Sequence, residues 1–255
     1  MRNDICHFVM IPMTGLGLSS GGHSRGYRGD EWFAYRIELF KNYTLKSLLN
    51  QTNKNFVIWM SFRTEEKTNP LCIEFEKYMQ TCGQPFIFTY GGLCFWDDKF
   101  PNDNLLERLK LTLPILKERF DNAKFIFETL QPSDDCYSDE TINNIQRITP
   151  AENTAITHQK GFMFNERTMR VAEWCPPTNP PFYTIMYPSD VFFDPEKHFE
   201  YMKGFKSHEN ITKIFNCIRL PDFNYCVLVH QKNISTNWWH PFRGKIFNWA
   251  EGWII

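Results

Sequence analysis

The chain has 255 residues, enough for one large α/β domain, and its 28 basic residues are balanced by 29 acidic ones to a net charge of −1. That balance argues against a nucleic-acid-binding stripe and against a broad membrane-seeking basic surface. Eight cysteines form no C-x-x-C pair and no zinc spacing, eighteen apolar residues never run together, and MRNDICHFVMIPM reads as a strand, not a leader. The expectation is therefore a cytoplasmic protein with reduced thiols and no membrane-spanning segment.

In chain order, Cys6–Met13 (CHFVMIPM) reads as a buried strand and is followed by a Gly/Ser-rich loop from Thr14 to about Gly29. Helical spacing then places Trp32, Tyr35 and Leu39 on one segment and Leu45 and Leu49 on the next. Phe56–Phe62 is a second buried strand. Asn69-Pro70 opens a helix to about Thr81, because proline suits the first helical position. Pro85–Tyr90 is a third strand, and Asn104–Phe120 a helix with Leu105, Leu109, Leu113 and Leu116 on one stripe. Lys124–Leu130 is the fourth strand, followed by a short helix from Ser138 to about Ile148. Beyond Pro150, Thr154–Phe164 and Thr168–Trp174 read as a hairpin turning at Asn165-Glu-Arg, Phe182–Met186 and Tyr225–His230 as strands, and His208–Phe215 as a helix.

Strands alternating with helices predict βαβ units, hence an α/β fold with a mostly parallel sheet flanked by helices and a β-hairpin-containing C-terminal half. The expected organisation is one domain over 1–255: a ligand-binding half (1–150), an acceptor-side half (151–235) and a lid or tail (236–255). Ligands of such sheets bind beyond the carboxyl ends of the strands. That rule directs attention to the loop after Met13, to Arg63, and to Ser133-Asp134-Asp135.

Two adjacent carboxylates repel unless a cation lies between them, and Mn²⁺ or Mg²⁺ held by Asp134 and Asp135 with phosphate oxygens would serve. Ser and Asp also initiate turns and cap helices, and both readings stand. His230, closing its strand, is either a hydrogen-bonded strand end or a third metal ligand. Trp238-Trp239-His240-Pro-Phe-Arg243-Gly-Lys245 is either a lid whose Arg243 and Lys245 neutralise a diphosphate or a tail docked by its tryptophans. Gly15-Leu-Gly17-Leu-Ser-Ser20-Gly21-Gly22 fails as a dinucleotide loop, since the third glycine falls on Ser20 and Arg63, not an acid, ends the second strand. Arg25 and Arg28 near Gly21-Gly22 keep a nucleotidyltransferase as one alternative.

Arg28-Gly-Asp-Glu-Trp32, Tyr35-Arg36-Ile-Glu-Leu-Phe40, Thr44-Leu-Lys-Ser-Leu-Leu-Asn-Gln51-Thr and Asn55-Phe-Val-Ile form an ordered set. Ser133-Asp-Asp135, Pro180-Pro-Phe182, the His208 segment and Val229-His230-Gln-Lys-Asn233 follow in register. The set resembles the rhamnosyltransferase family and spans about residues 25 to 235. The resemblance implies a GT-A-like fold and a metal-dependent, hexosyltransferase-type enzyme moving a sugar from a nucleotide-activated donor to a glycan or glycolipid hydroxyl, with peripheral membrane contact left open. By position it implies Asp134, Asp135 and His230 as ligands of Mn²⁺ or Mg²⁺, with Arg36 and Ser133 supporting the donor site.

The family pattern R-L-D-x-D-D is Leu130-Gln131-Pro132-Ser133-Asp134-Asp135 here, so its arginine and leading acid are replaced; a non-catalytic carbohydrate- or nucleotide-binding relative is the second alternative. For an inverting reaction the acceptor hydroxyl needs a carboxylate base, and Glu209 and Asp190 are the candidates. Glu209 reads equally as a first-turn acid facing a helix dipole. A retaining reaction requires no such base.

Overall fold

Four of the apolar runs become parallel neighbours. In the computed structural model, which describes residues 4–14, 29–93, 102–120, 122–233, 236–239 and 243–248, the strands β1 (Ile5–Pro12), β2 (Val57–Ser61), β3 (Phe86–Thr89) and β4 (Phe125–Leu130) lie in the order β3-β2-β1-β4. All three pairings are parallel. Both faces of these strands are covered, which is why they read as unbroken apolar runs and do not alternate. On one face Phe8, Met10, Trp59 and Ile126 pack against Leu109, Leu113 and Leu116. On the other, Val9, Ile11, Ile58 and Met60 meet Phe33, Ile37, Phe40 and Phe75.

The helices on the second face are α1 (Asp30–Leu39), continued by a π-helical turn (Phe40–Thr44) into α2 (Leu45–Leu49), and α3 (Pro70–Met79). Asn69 caps α3 by accepting the Leu71 N–H at 2.8 Å, and Pro70 occupies the first turn, where its missing N–H costs nothing. The first face carries α4 (Asn102–Phe120). A two-residue β5 (Cys136–Tyr137) and α5 (Thr141–Gln146) follow β4.

The second half builds β6 (Thr154–Asn165), β7 (Arg170–Trp174), β8 (Tyr183–Pro188), the short helices α6 (Ser189–Phe192), α7 (Pro195–Tyr201) and α8 (Ile211–Ile214), β9 (Asn216–Val229) and β10 (Arg243–Asn248). Here the pairing turns antiparallel: β8 joins β4, β6 joins β8 and β7, and β10 joins β7, giving the path β10-β7-β6-β8-β4-β1-β2-β3. β9 runs parallel beside β6 along its whole length and also pairs with β5. The expected α/β class therefore holds, with a parallel core extended by antiparallel strands. No helix among the described residues is long and apolar enough to cross a membrane.

Three departures from the sequence reading have physical reasons. β9 begins nine residues before Tyr225, because its first part is largely exposed, contains Pro221, and shifts register against β6, so no period-2 signal survives. The tail contributes β10, a strand at the sheet edge. The helices at 189–192 and 195–201 are too short for a periodic stripe, although Asp194-Pro195 repeats the cap-and-proline start seen at Asn69-Pro70.

One core residue gives a pH signature. Glu128, 4% exposed in the middle of β4, lies beside Tyr187, and its Oε1 has no hydrogen-bond partner among the described residues. Burial pushes its carboxyl up to about 8, against the lesser opposing effect of the Tyr187 hydrogen bond. The folded protein then keeps a proton that the unfolded chain releases in the ordinary carboxylate range, so this group's contribution to stability falls as pH rises from that range to about 8. Glu128→Gln removes the titration. Between about pH 6.5 and about pH 8 the wild-type protein is expected to lose roughly 2 kcal/mol relative to the variant, read by urea unfolding at each pH. Parallel pH profiles would show that Glu128 does not carry this proton.

Candidate functional site

The turn after β4 is built by hydrogen bonds that leave its two carboxylates facing opposite ways. Gln131 continues the parallel ladder, its N–H donating to the Met10 carbonyl at 3.0 Å, while its Nε2 holds the Asp135 carbonyl at 3.0 Å. Tyr137 closes the loop from below, its hydroxyl donating to the Leu130 carbonyl at 2.8 Å. Ser133 lies buried inside this turn.

Asp134 turns toward α1. The Arg36 guanidinium forms an ion pair with it, and His230 Nε2 lies 3.0 Å from Oδ2. The Lys232 N–H donates to His230 Nδ1 at 3.2 Å, which leaves Nε2 as the nitrogen whose N–H donates to Asp134. Tyr35 Oη stands 3.4 Å from the same Nδ1. Burial alone would raise the Asp134 carboxyl, but the Arg36 charge and the His230 hydrogen bond outweigh it and hold it down at about 2.

Asp135 turns away and accepts the Leu228 N–H at 2.9 Å. Burial and the adjacent Asp134 charge push its carboxyl well above the usual range, against the Leu228 hydrogen bond and the Arg36 charge. The environment thus drives two identical neighbouring groups in opposite directions, Asp134 toward its ionised form and Asp135 toward its protonated form. Asp135 also lines a cavity of about 340 Å³ with Trp174, Pro180, His208, Glu209 and Val227. Glu209 reaches this wall from a 3₁₀ turn (His208–Asn210) fixed by a Ser207 capping box, and His208 Nδ1 is hydrogen-bonded to the Asn179 carbonyl.

The Thr44–Gln51 segment acts on this site from behind. Ser47 Oγ accepts the Tyr137 N–H at 3.3 Å, and Gln51 Nε2 donates to the Ser138 carbonyl at 2.6 Å while its Oε1 accepts the Ile142 N–H at 3.0 Å. The chain leaving the acidic turn is thereby pinned to α2. These roles of Ser47 and Gln51, and that of Tyr35, which reads as a core position by spacing alone, are absent from the sequence reading. The ordered Thr-Leu-x-Ser-Leu-x-x-Gln signature was the available signal.

The remaining expected site residues divide. Arg63 stands at the carboxyl end of β2, tied to buried Glu66 at 2.8 Å, and Glu66 in turn accepts the Thr14 hydroxyl at 3.0 Å at the end of β1. Asp190 does not join the site: β8 runs antiparallel to β4, so its far end meets the start of β4, and Asp190 there pairs with Lys197 at 2.9 Å. Arg243 opens β10 opposite Trp174, its guanidinium over the rings of Trp238 and Trp239. Lys245 is exposed farther along the same edge strand, over the Phe247 ring. Trp238 is buried against the core while Trp239 is 80% exposed, so one of the two tryptophans is docked. The glycine-rich loop 15–22, Arg25, Arg28 and His240 lie outside the described residues.

The side chains as placed do not fit a divalent ion. Arg36 and His230 already occupy the outer oxygen of Asp134, Asp135 points elsewhere, and no group of three His, Cys, Asp or Glu side chains converges among the described residues. The charge on Asp134 is met here by the Arg36 guanidinium.

No family model matches the sequence, and no curated protein matches it. Among solved structures, the chain is similar to S. aureus TarS 1-349 at 14% identity and a TM-score of 0.41, with 88% of this chain and 60% of that one covered. It is similar to the same fragment in complex with UDP at 12% identity and a TM-score of 0.39, covering 89% and 60%. Mouse xyloside xylosyltransferase 1 in its apo form gives 11% identity and a TM-score of 0.39, covering 82% and 81%. The chain therefore spans about 60% of the length of the TarS 1-349 structure.

Proposed function

We propose that the protein is a glycosyltransferase of the hexosyltransferase type, which moves a sugar from a nucleotide-activated donor to a hydroxyl acceptor in the cavity beside Asp135. The observation that carries this reading is the pair of adjacent carboxyl groups at the carboxyl edge of the parallel strands. One is held by Arg36 and His230, and the other, pushed toward its protonated form by burial and the Asp134 charge, lines a cavity shared with Glu209.

In this reading the donor's diphosphate lies over the strand ends, where Arg63 and Arg243 are the cations that meet the charge growing on the leaving group. Glu209 takes the proton of the acceptor hydroxyl as the new bond to the anomeric carbon forms. Asp135, pushed toward its protonated form, hydrogen-bonds the sugar or the departing phosphate oxygen. Trp174, Pro180 and Val227 wall the cavity and limit water. Manganese dependence belongs to the expectation from resemblance, and no step here runs through an ion.

The test is thermal stability against a panel of nucleoside diphosphates and their sugar conjugates, with Mn²⁺ and with EDTA. A ligand at a hundredfold excess over its Kd is expected to stabilise the native state by about 2.7 kcal/mol. Stabilisation persisting in EDTA fits the arginine-neutralised arrangement, and stabilisation requiring Mn²⁺ would mean that Asp134 gives up Arg36 to the ion. No stabilisation by any nucleotide would sink the transferase reading.

A further inference from the structure

Two cysteines are set directly against each other where β5 meets β9. In this antiparallel register Cys136 lies opposite Cys226, and Tyr137 opposite Tyr225. Residues opposite one another in such a pair stand about 4.5–5.5 Å apart at Cα and share a face of the sheet, and a disulfide spans Cα atoms about 4.4–6.8 Å apart. Both side chains are free thiols buried in one cluster with Leu39, Phe164, Val171 and Leu228. The backbones are tied on either side of the pair: the Ser138 N–H donates to the Asn224 carbonyl at 2.9 Å, and the Leu228 N–H to Asp135 Oδ1 at 2.9 Å. Among the described residues no other two cysteines are register partners. Cys6 lies opposite Ile126 and Cys217 opposite Ala155, while Cys72, Cys82 and Cys175 stand outside the strands.

The pair lies behind the candidate site. Cys136 follows Asp135 and Cys226 precedes Val227, and Asp135 and Val227 both line the cavity of about 340 Å³. Neighbours along a strand point to opposite faces, so the cysteines occupy the back of the wall whose front is the cavity.

We propose that Cys136 and Cys226 form a thiol–disulfide switch that fastens this wall when oxidised. The oxidant is a low-molecular-weight disulfide. One protein thiol gives up its proton and attacks it, forming a mixed disulfide and releasing one small thiol. The second protein thiol then attacks the sulfur of its partner and expels the other small thiol. Two protein S–H bonds are lost, one S–S bond forms between the strands, and the S–S bond of the oxidant is reduced to two thiols. Burial pushes both protein thiols up, so they stay protonated while β5 is closed. Exchange runs through local opening of this two-residue strand and is slow. The switch does not depend on what the cavity binds.

The test exposes the full chain to oxidised glutathione, blocks the remaining thiols with iodoacetamide and maps the peptides without reduction. One peptide pair linked through Cys136 and Cys226 is expected, returned to two thiols by dithiothreitol. Closing a loop of about ninety residues should raise the melting temperature by about 4–16 °C over the reduced protein, and amide exchange at Leu228 should slow. Cys136→Ser and Cys226→Ala each abolish the link and the rise, and Cys175→Ser leaves both. Recovery of Cys136 and Cys226 as separately blocked peptides once Cys175 is fully converted overturns the proposal, as does a link to a different cysteine. A Cys136–Cys226 link that changes neither the melting temperature nor exchange at Leu228 overturns the fastening of the wall.

Discussion

Replacing Arg36 with alanine is expected to destabilise the protein by about 3–5 kcal/mol, the range found when one partner of a buried ion pair is removed. Arg36 is 5% exposed, and Asp134 is held in its low-pKa state chiefly by that guanidinium. Without it, Asp134 must be desolvated beside Asp135 with only the His230 hydrogen bond for support. The substitution also removes the packing of the guanidinium over Trp32, at 5.1 Å from the ring centroid. For a chain of this length the loss corresponds to a fall in melting temperature of roughly 6–20 °C. Adding Asp134→Asn should recover part of it, since the unpaired charge is then gone, and the double-mutant cycle isolates the pair. A loss of less than about 1 kcal/mol for Arg36→Ala would show that the ion pair is not a structural element.

Glu209→Gln is expected to lower kcat by about a hundredfold to ten-thousandfold, the usual contribution of a positioned base, while donor affinity is unchanged. Glu209 is exposed at the mouth of the cavity and lies on a capped turn, so the amide leaves the fold intact. Asp190→Asn supplies the contrast: that residue sits at the opposite end of the sheet in an exposed pair with Lys197, and turnover should match the wild type. Steady-state kinetics and nucleotide-binding thermal shifts on both variants separate chemistry from binding. Unchanged turnover in Glu209→Gln would point to a retaining reaction or to another base.

The parallel core was legible because strands buried on both faces leave continuous apolar runs: Phe56–Phe62 and Lys124–Leu130 each appear within two residues of their observed bounds. The acidic turn was legible as well, since it follows β4 directly. What could not be read was its division of labour. Asp134 and Asp135 are the same residue type side by side, and only the third dimension sends one toward Arg36, ninety-eight positions earlier, and the other toward the Leu228 amide. The Leu228 contact depends on β9 returning beside β5, and β9's exposed first part carries no periodic signal. Asp190 lies away from the acidic turn for a related reason: the direction of β8 decides which end of the sheet it reaches, and direction is a property of pairing, not composition.

The pairing of β8 with β4 constrains how this chain can be divided. Although the linear sequence changes character near Pro150, six residues of β4 are matched along their length by β8, and β6 then extends the same sheet. A fragment ending near that proline would expose the flank of β4, an apolar strand whose free N–H and C=O groups invite another copy to add on. The visible change of rhythm is thus a poor place to cut: the boundary it suggests runs through the middle of a hydrogen-bonded sheet, and separated halves would tend to self-associate unless recombined.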